Sequence, residues 1–62
     1  MSIIREIEEY RKTHNIPIYQ ICNILDVTEA GYNSMLLYNV RPDVYQMIMF
    51  ICATEHPLST LE

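Results

Sequence analysis

The chain is short of positive charge. Eight acidic side chains stand against four basic ones, Arg5, Arg11, Lys12 and Arg41, and the formal net charge is −4 over 62 residues. The sequence pI is about 4.9. A nucleic-acid-binding domain ordinarily carries a basic face and a pI above about 9, so a global basic footprint is excluded. Glycine occurs once and proline three times, which leaves little material for long loops and none for a glycine-rich phosphate cradle. The two cysteines, Cys22 and Cys52, form no CxxC pair, so spacing imposes no disulfide. The longest apolar-rich run, VYQMIMFICA, is about ten residues, half of the roughly 20 that span a bilayer. The opening MSIIREIEEY is acidic and amphipathic, unlike a secretory signal. The expected setting is the cytoplasm, with reduced thiols and no membrane partner.

What the chain has is apolar side chains, half of all residues. Such a composition buries enough surface to offset ordering entropy and argues against disorder. A chain this short still buries only about 60% of the surface its unfolded form exposes. The expectation is one domain, 1–62, with apolar surface left over for a second chain.

Helical spacing predicts an all-α domain with helices at about 2–14, 17–25, 28–38 and 42–54, and one further turn at 58–62. Ser2 is the expected N-cap of the first helix, with Ile3, Ile4, Ile7, Tyr10 and His14 at helical spacing. Asn15-Ile16-Pro17 breaks it, because the residue before proline disfavours the α region. Pro17 is placed at the first turn of the second helix, with Ile21, Cys22 and Leu25 on one face. Thr28 is the expected cap of the third helix. Pro42 is expected to open the fourth, with Val44, Ile48, Ile51 and Cys52 on one face and Tyr45 and Met49 beside it.

The connection between the second and third helices is three or four residues long, the spacing of a helix-turn-helix. Val27 would fill the space between the two helices while Asp26 makes the turn, aspartate being one of the few non-glycine residues that tolerates positive φ. Nearly the whole chain, and above all the stretch from Ile16 to Leu58, resembles the lambda-repressor-like helix-turn-helix proteins, the phage repressor and Cro (XRE-type) family. The features that carry it are Ile21 and Cys22, then Leu25-Asp26-Val27, then Thr28 followed by Tyr32 and Met35. A loop ending in proline follows, and a helix carrying Val44, Ile48 and Cys52. The resemblance implies a four- to five-helix fold, operator DNA as partner and a homodimer.

Under that resemblance the DNA-reading candidates are Thr28, Glu29, Tyr32, Asn33 and Ser34, and the phosphate-contact candidates are Arg11, Lys12 and Arg41. Asn and Ser or Thr side chains can read base edges. Tyr32 has a second reading, in an inward layer with Val27 and Met35. The departures fall where family members touch DNA: Ile18, Glu29, Ser34, Leu36 and Tyr38 replace residues that are commonly polar, basic or glycine there. A competing reading follows from the charge: an acidic, protein-binding modulator on the same fold, such as an antirepressor or an inhibitor of a nucleic-acid-binding protein. Its interface candidates are Ile18, Leu36, Leu37 and Tyr38, with Ile24 and Val40 in the same exposed-looking set, while Tyr45 and Met49 read either as the edge of the core or as a homodimer seam.

His14, Cys22, Cys52 and His56 have irregular spacing and no close cysteine pair, so no metal site is expected; Cys22 reads as a small core residue. Glu6, Glu8 and Glu9 read as a solvated acidic helix face. No nucleophile, base and acid fall into a catalytic arrangement. The chain is expected to be neither an enzyme nor a binder of cofactor or small-molecule substrate.

Overall fold

The computed structural model describes residues 2–58, which form four α-helices: α1 (Ile3–Thr13), α2 (Ile18–Leu25), α3 (Glu29–Tyr38) and α4 (Val44–Thr54). No strand occurs among the described residues. Beyond Leu58, the turn expected at 58–62 lies outside them. None of the described helices is long and apolar enough to cross a membrane.

Three of the four helices, α1, α3 and α4, begin where a side chain satisfies a first-turn N–H group, and α2 has no side-chain cap. The Ser2 hydroxyl accepts from Arg5 N, and Thr28 Oγ1 accepts from Gly31 N at 3.0 Å. At α4 the cap is reciprocal: Asp43 Oδ1 accepts from Gln46 N at 2.7 Å, and Gln46 Oε1 accepts from Asp43 N at 3.0 Å. Such a capping box satisfies two otherwise orphan donors. Two proline placements are therefore corrected. Pro17 is the N-cap of α2, not its first helical residue. Pro42 is buried one residue before the Asp43 cap, so α4 starts at Val44. In both cases a residue with extended backbone sits immediately before the helix.

The helices end without glycine. Asn15, Asp26, Asn39 and Glu55 follow the four helices or cap them with φ of 55°, 57°, 55° and 57°. The single glycine, Gly31, lies inside α3.

Ile3, Ile4 and Ile7 from α1, Ile21, Cys22 and Leu25 from α2, Tyr32 from α3, Met47 and Phe50 from α4, and Leu58 make the core. α2 packs against α4 and α3, and α1 against α3. The register of α4 differs from the expected one. Its buried residues are Met47 and Phe50, while Val44, Ile48 and Cys52 are exposed and Ile51 is half-buried. No charged residue interrupts α4, so periodicity gives no single apolar face. The capping box fixes where α4 starts, and the Gln46 Nε2 hydrogen bond to the Leu25 carbonyl at 3.0 Å ties one side of it to α2.

Candidate functional site

The connection from α2 to α3 is tight. Asp26 takes left-handed geometry (φ 57°, ψ 49°), and Val27 N donates to the Cys22 carbonyl at 3.0 Å. Val27 is half-buried and packs against the core. The chain then turns extended at Thr28 (φ −80°, ψ 164°), whose side chain caps α3. Glu29 stands in the first turn, where a carboxylate suits the helix dipole. A negative charge there also opposes an incoming phosphate.

The exposed face of α3 carries Glu29, Ala30, Asn33, Ser34, Leu37 and Tyr38, with Thr28 exposed at its start. Four of the five DNA-reading candidates are thus on one surface. Tyr32 is not: it is fully buried and donates its hydroxyl to Glu8 Oε1 at 2.7 Å. Its placement as a groove-facing residue is corrected to the inward layer. Desolvation would make an unpaired buried hydroxyl costly, and the Glu8 carboxylate removes that cost.

Glu8 itself overturns the reading of an all-solvated acidic face, because it is buried. Arg11 Nε and Nη2 donate to its two oxygens, each at 2.8 Å, and Arg11 Nη1 donates to the Ile16 carbonyl at 2.9 Å. The Arg11 guanidinium holds the Glu8 carboxyl below its ordinary range, against the opposing effect of burial, and Tyr32 adds a further hydrogen bond. The same Glu8 contact raises Arg11. Burial, then the Glu8 hydrogen bond, pushes the Tyr32 hydroxyl well up. The sequence carries a signal for this strut: Ile4, Glu8 and Arg11 share one helical face at i, i+4 and i+7.

The strut changes the account of phosphate contacts. Arg11 spends its guanidinium inside the molecule and is corrected from that list. Arg5 is also engaged: its Nη2 donates to the Leu36 carbonyl at 3.0 Å. α3 has no basic residue in its last turn, so Arg5 brings from α1 the cation that suits a helix C-terminus. Lys12 and Arg41 remain exposed.

The apolar interface candidates divide. Ile18, Ile24 and Leu36 are half-buried and pack against the core, so each offers only part of its side chain to the surface. Leu37, Tyr38, Tyr45 and Met49 are exposed, as is Val40. Elsewhere, Glu6, Glu9, Tyr10, Thr13, His14 and His56 line an open cleft of about 240 Å³. Tyr10 stacks on His14 with ring centroids 4.0 Å apart and meets His56 at 4.7 Å. Both cysteines are free thiols, Cys22 buried and Cys52 exposed. Burial, then the Glu29 charge, raises the Cys22 thiol. Among the described residues no three His, Cys, Asp or Glu side chains gather closely enough to hold a metal.

No protein-family model, curated protein or solved structure matches the chain.

Proposed function

We propose that this chain is a helix-turn-helix regulatory protein of the lambda-repressor-like kind, controlling transcription by binding operator DNA as a dimer. The observation that carries the reading is the α2–Asp26–Val27–Thr28–α3 connection: a left-handed aspartate, a half-buried valine and a capped helix whose outer face holds Asn33 and Ser34. In this reading α3 lies in the major groove. Thr28, Asn33 and Ser34 meet base edges, with Glu29 positioned to accept from a cytosine amino group. Lys12 and Arg41 meet phosphate. Doubling the protomer doubles these contacts, and binding stays weak, with only a shallow dependence on salt, because so few cations are free.

A specific observation favours a second reading, that of an acidic protein-binding modulator. Arg5 and Arg11 are bound within the molecule, and Leu37 and Tyr38 are 72% and 73% exposed on α3. In that reading the acidic chain competes with DNA for a basic protein by complementary potential, and Leu37 and Tyr38 anchor the contact.

Selection from a random duplex library at about 50 mM salt separates the two. The operator reading expects recovery of a twofold-symmetric site that Asn33→Ala together with Ser34→Ala no longer selects. Recovery of no sequence, with Leu37→Asp abolishing a stoichiometric protein complex from the native host, supports the modulator reading instead.

A further inference from the structure

The cleft between α1 and the chain beyond α4 has no part in either reading of α3. Its walls are Glu6, Glu9, Tyr10, Thr13 and His14 from α1 and its C-cap, and His56 two residues after α4. On the helical wheel Glu6 and Thr13 lie about 160° and 140° from Glu8, so the cleft opens on the side of α1 turned away from the Tyr32 strut. Among the described residues it is lined by three rings, two carboxylates and a hydroxyl, and by no cation. We propose that this cleft is a docking site for one arginine side chain presented by a basic protein partner. The proposal goes beyond both readings of α3 and depends on neither.

Chemistry, charge and size select that occupant. A guanidinium is planar, stacks on aromatic faces and forks onto carboxylates. The cleft sets both kinds of group side by side. Tyr10 and His14 stack with ring centroids 4.0 Å apart, and His56 lies 4.7 Å from Tyr10. Glu6 stands at i−4 and Glu9 at i−1 from Tyr10, and both carboxylates reach the lining. An anion would meet two like charges there, and a neutral apolar side chain would leave the carboxylates unused. The net charge of −4 draws a basic partner towards the chain. The volume, about 240 Å³, is below the roughly 300–1,000 Å³ of sites that enclose small-molecule ligands and suits one protruding side chain.

The walls are held in place before anything binds. Phe50 is fully buried and makes a T-shaped contact with Tyr10, centroids 5.5 Å apart. Thr54 Oγ1 donates to the Phe50 carbonyl at 2.7 Å and accepts from His56 N at 3.2 Å. His14 Nδ1 donates to the Tyr10 carbonyl at 3.0 Å. A preformed site loses little ordering entropy on binding.

Nuclear magnetic resonance titration of the full chain with the blocked peptide Ac-GGRGG-NH2, in about 150 mM salt to screen diffuse attraction, tests this. Counterparts carry lysine or neutral citrulline in place of the arginine. The arginine peptide is expected to shift the amides of Glu9, Tyr10, His14 and His56 and to leave those of Asn33 and Ser34 in place, saturating with a Kd of about 1 mM or tighter. Glu9→Gln and Tyr10→Leu should each weaken it about threefold or more. Asp26→Asn removes the same charge outside the cleft, keeps a residue that tolerates left-handed φ, and should leave the Kd unchanged. No saturable shift at about 10 mM peptide overturns the proposal. Equal binding of the citrulline peptide overturns the cation, and equal binding of the lysine peptide overturns the arginine. Weakening by Asp26→Asn to the same degree as Glu9→Gln reduces the cleft to diffuse attraction and overturns it. Methylguanidinium binding more tightly than the peptide assigns the cleft to a free organic cation and overturns docking. Should Tyr10→Leu unfold, Glu9→Gln decides alone, since position 9 is exposed.

Discussion

The Tyr32 hydroxyl donates to Glu8 Oε1 at 2.7 Å across 24 residues of sequence, which ties α3 to α1 through a buried carboxylate. Arg11 completes the strut, so one anion accepts from a phenol and a guanidinium at once. Removing one partner leaves the others poorly satisfied. Tyr32→Phe is expected to lower stability by about 1.5–3 kcal/mol, the range for hydrogen bonds to charged groups, as read from urea unfolding midpoints. Unchanged midpoints would mean that the hydroxyl is equally well hydrated in the folded chain.

The strut also predicts how stability varies with pH. The folded Glu8 titrates below its ordinary 4.5, so it contributes stability above that value and loses it as pH falls through the lower folded value. Tyr32 works at the other end: its folded pKa lies above the ordinary 10.0, so its contribution is present below 10.0 and declines as pH rises beyond. Thermal melts of Glu8→Gln should lack the acid limb that the wild type shows below about pH 4.5. Those of Tyr32→Phe should lack the alkaline one.

Helix α4 offers a test of its register. Phe50 is fully buried, and Phe50→Ala is expected to cost about 3–5 kcal/mol, enough to unfold most of a domain this small. Val44→Ala, at a position 64% exposed, should stay within about 0.5 kcal/mol in dilute solution. Comparable losses at the two positions would place the wrong face of α4 against the core.

Glu55 caps α4 with φ 57°, a conformation that costs an L-residue about 1–2 kcal/mol. Glu55→Gly removes that strain and is expected to raise the melting temperature by about 4–8 °C, the shift that accompanies about 1 kcal/mol in a domain of this size. No rise would show that the Glu55 side chain contributes as much as its backbone costs.

Much of this was legible in the sequence because caps and breakers act locally. Ser2, Thr28 and Asp26 behave as their chemistry dictates, and Ile21, Cys22 and Leu25 share the buried face that their spacing predicts. The outward placement of Thr28, Glu29, Asn33 and Ser34 follows from the same helical period. α4 was illegible because an uncharged helix of uniform apolarity has no face that periodicity can choose; a tertiary hydrogen bond from Gln46 helps to choose it. The fate of the cations was hidden for a different reason. Whether Arg11 is free for phosphate depends on whether Glu8 points inward, and that depends on Tyr32, 24 residues away.

Salt dependence of DNA binding tests the central account most directly. With Arg5 and Arg11 engaged, a dimer offers Lys12 and Arg41 from each of two copies. That predicts binding at micromolar protein in about 50 mM salt, with log Kobs falling against log salt at a slope of about −4. Lys12→Ala should reduce that slope by about two, one contact per protomer. Absence of any shift at micromolar protein in about 50 mM salt would contradict operator binding and leave the acidic modulator as the account that fits this surface.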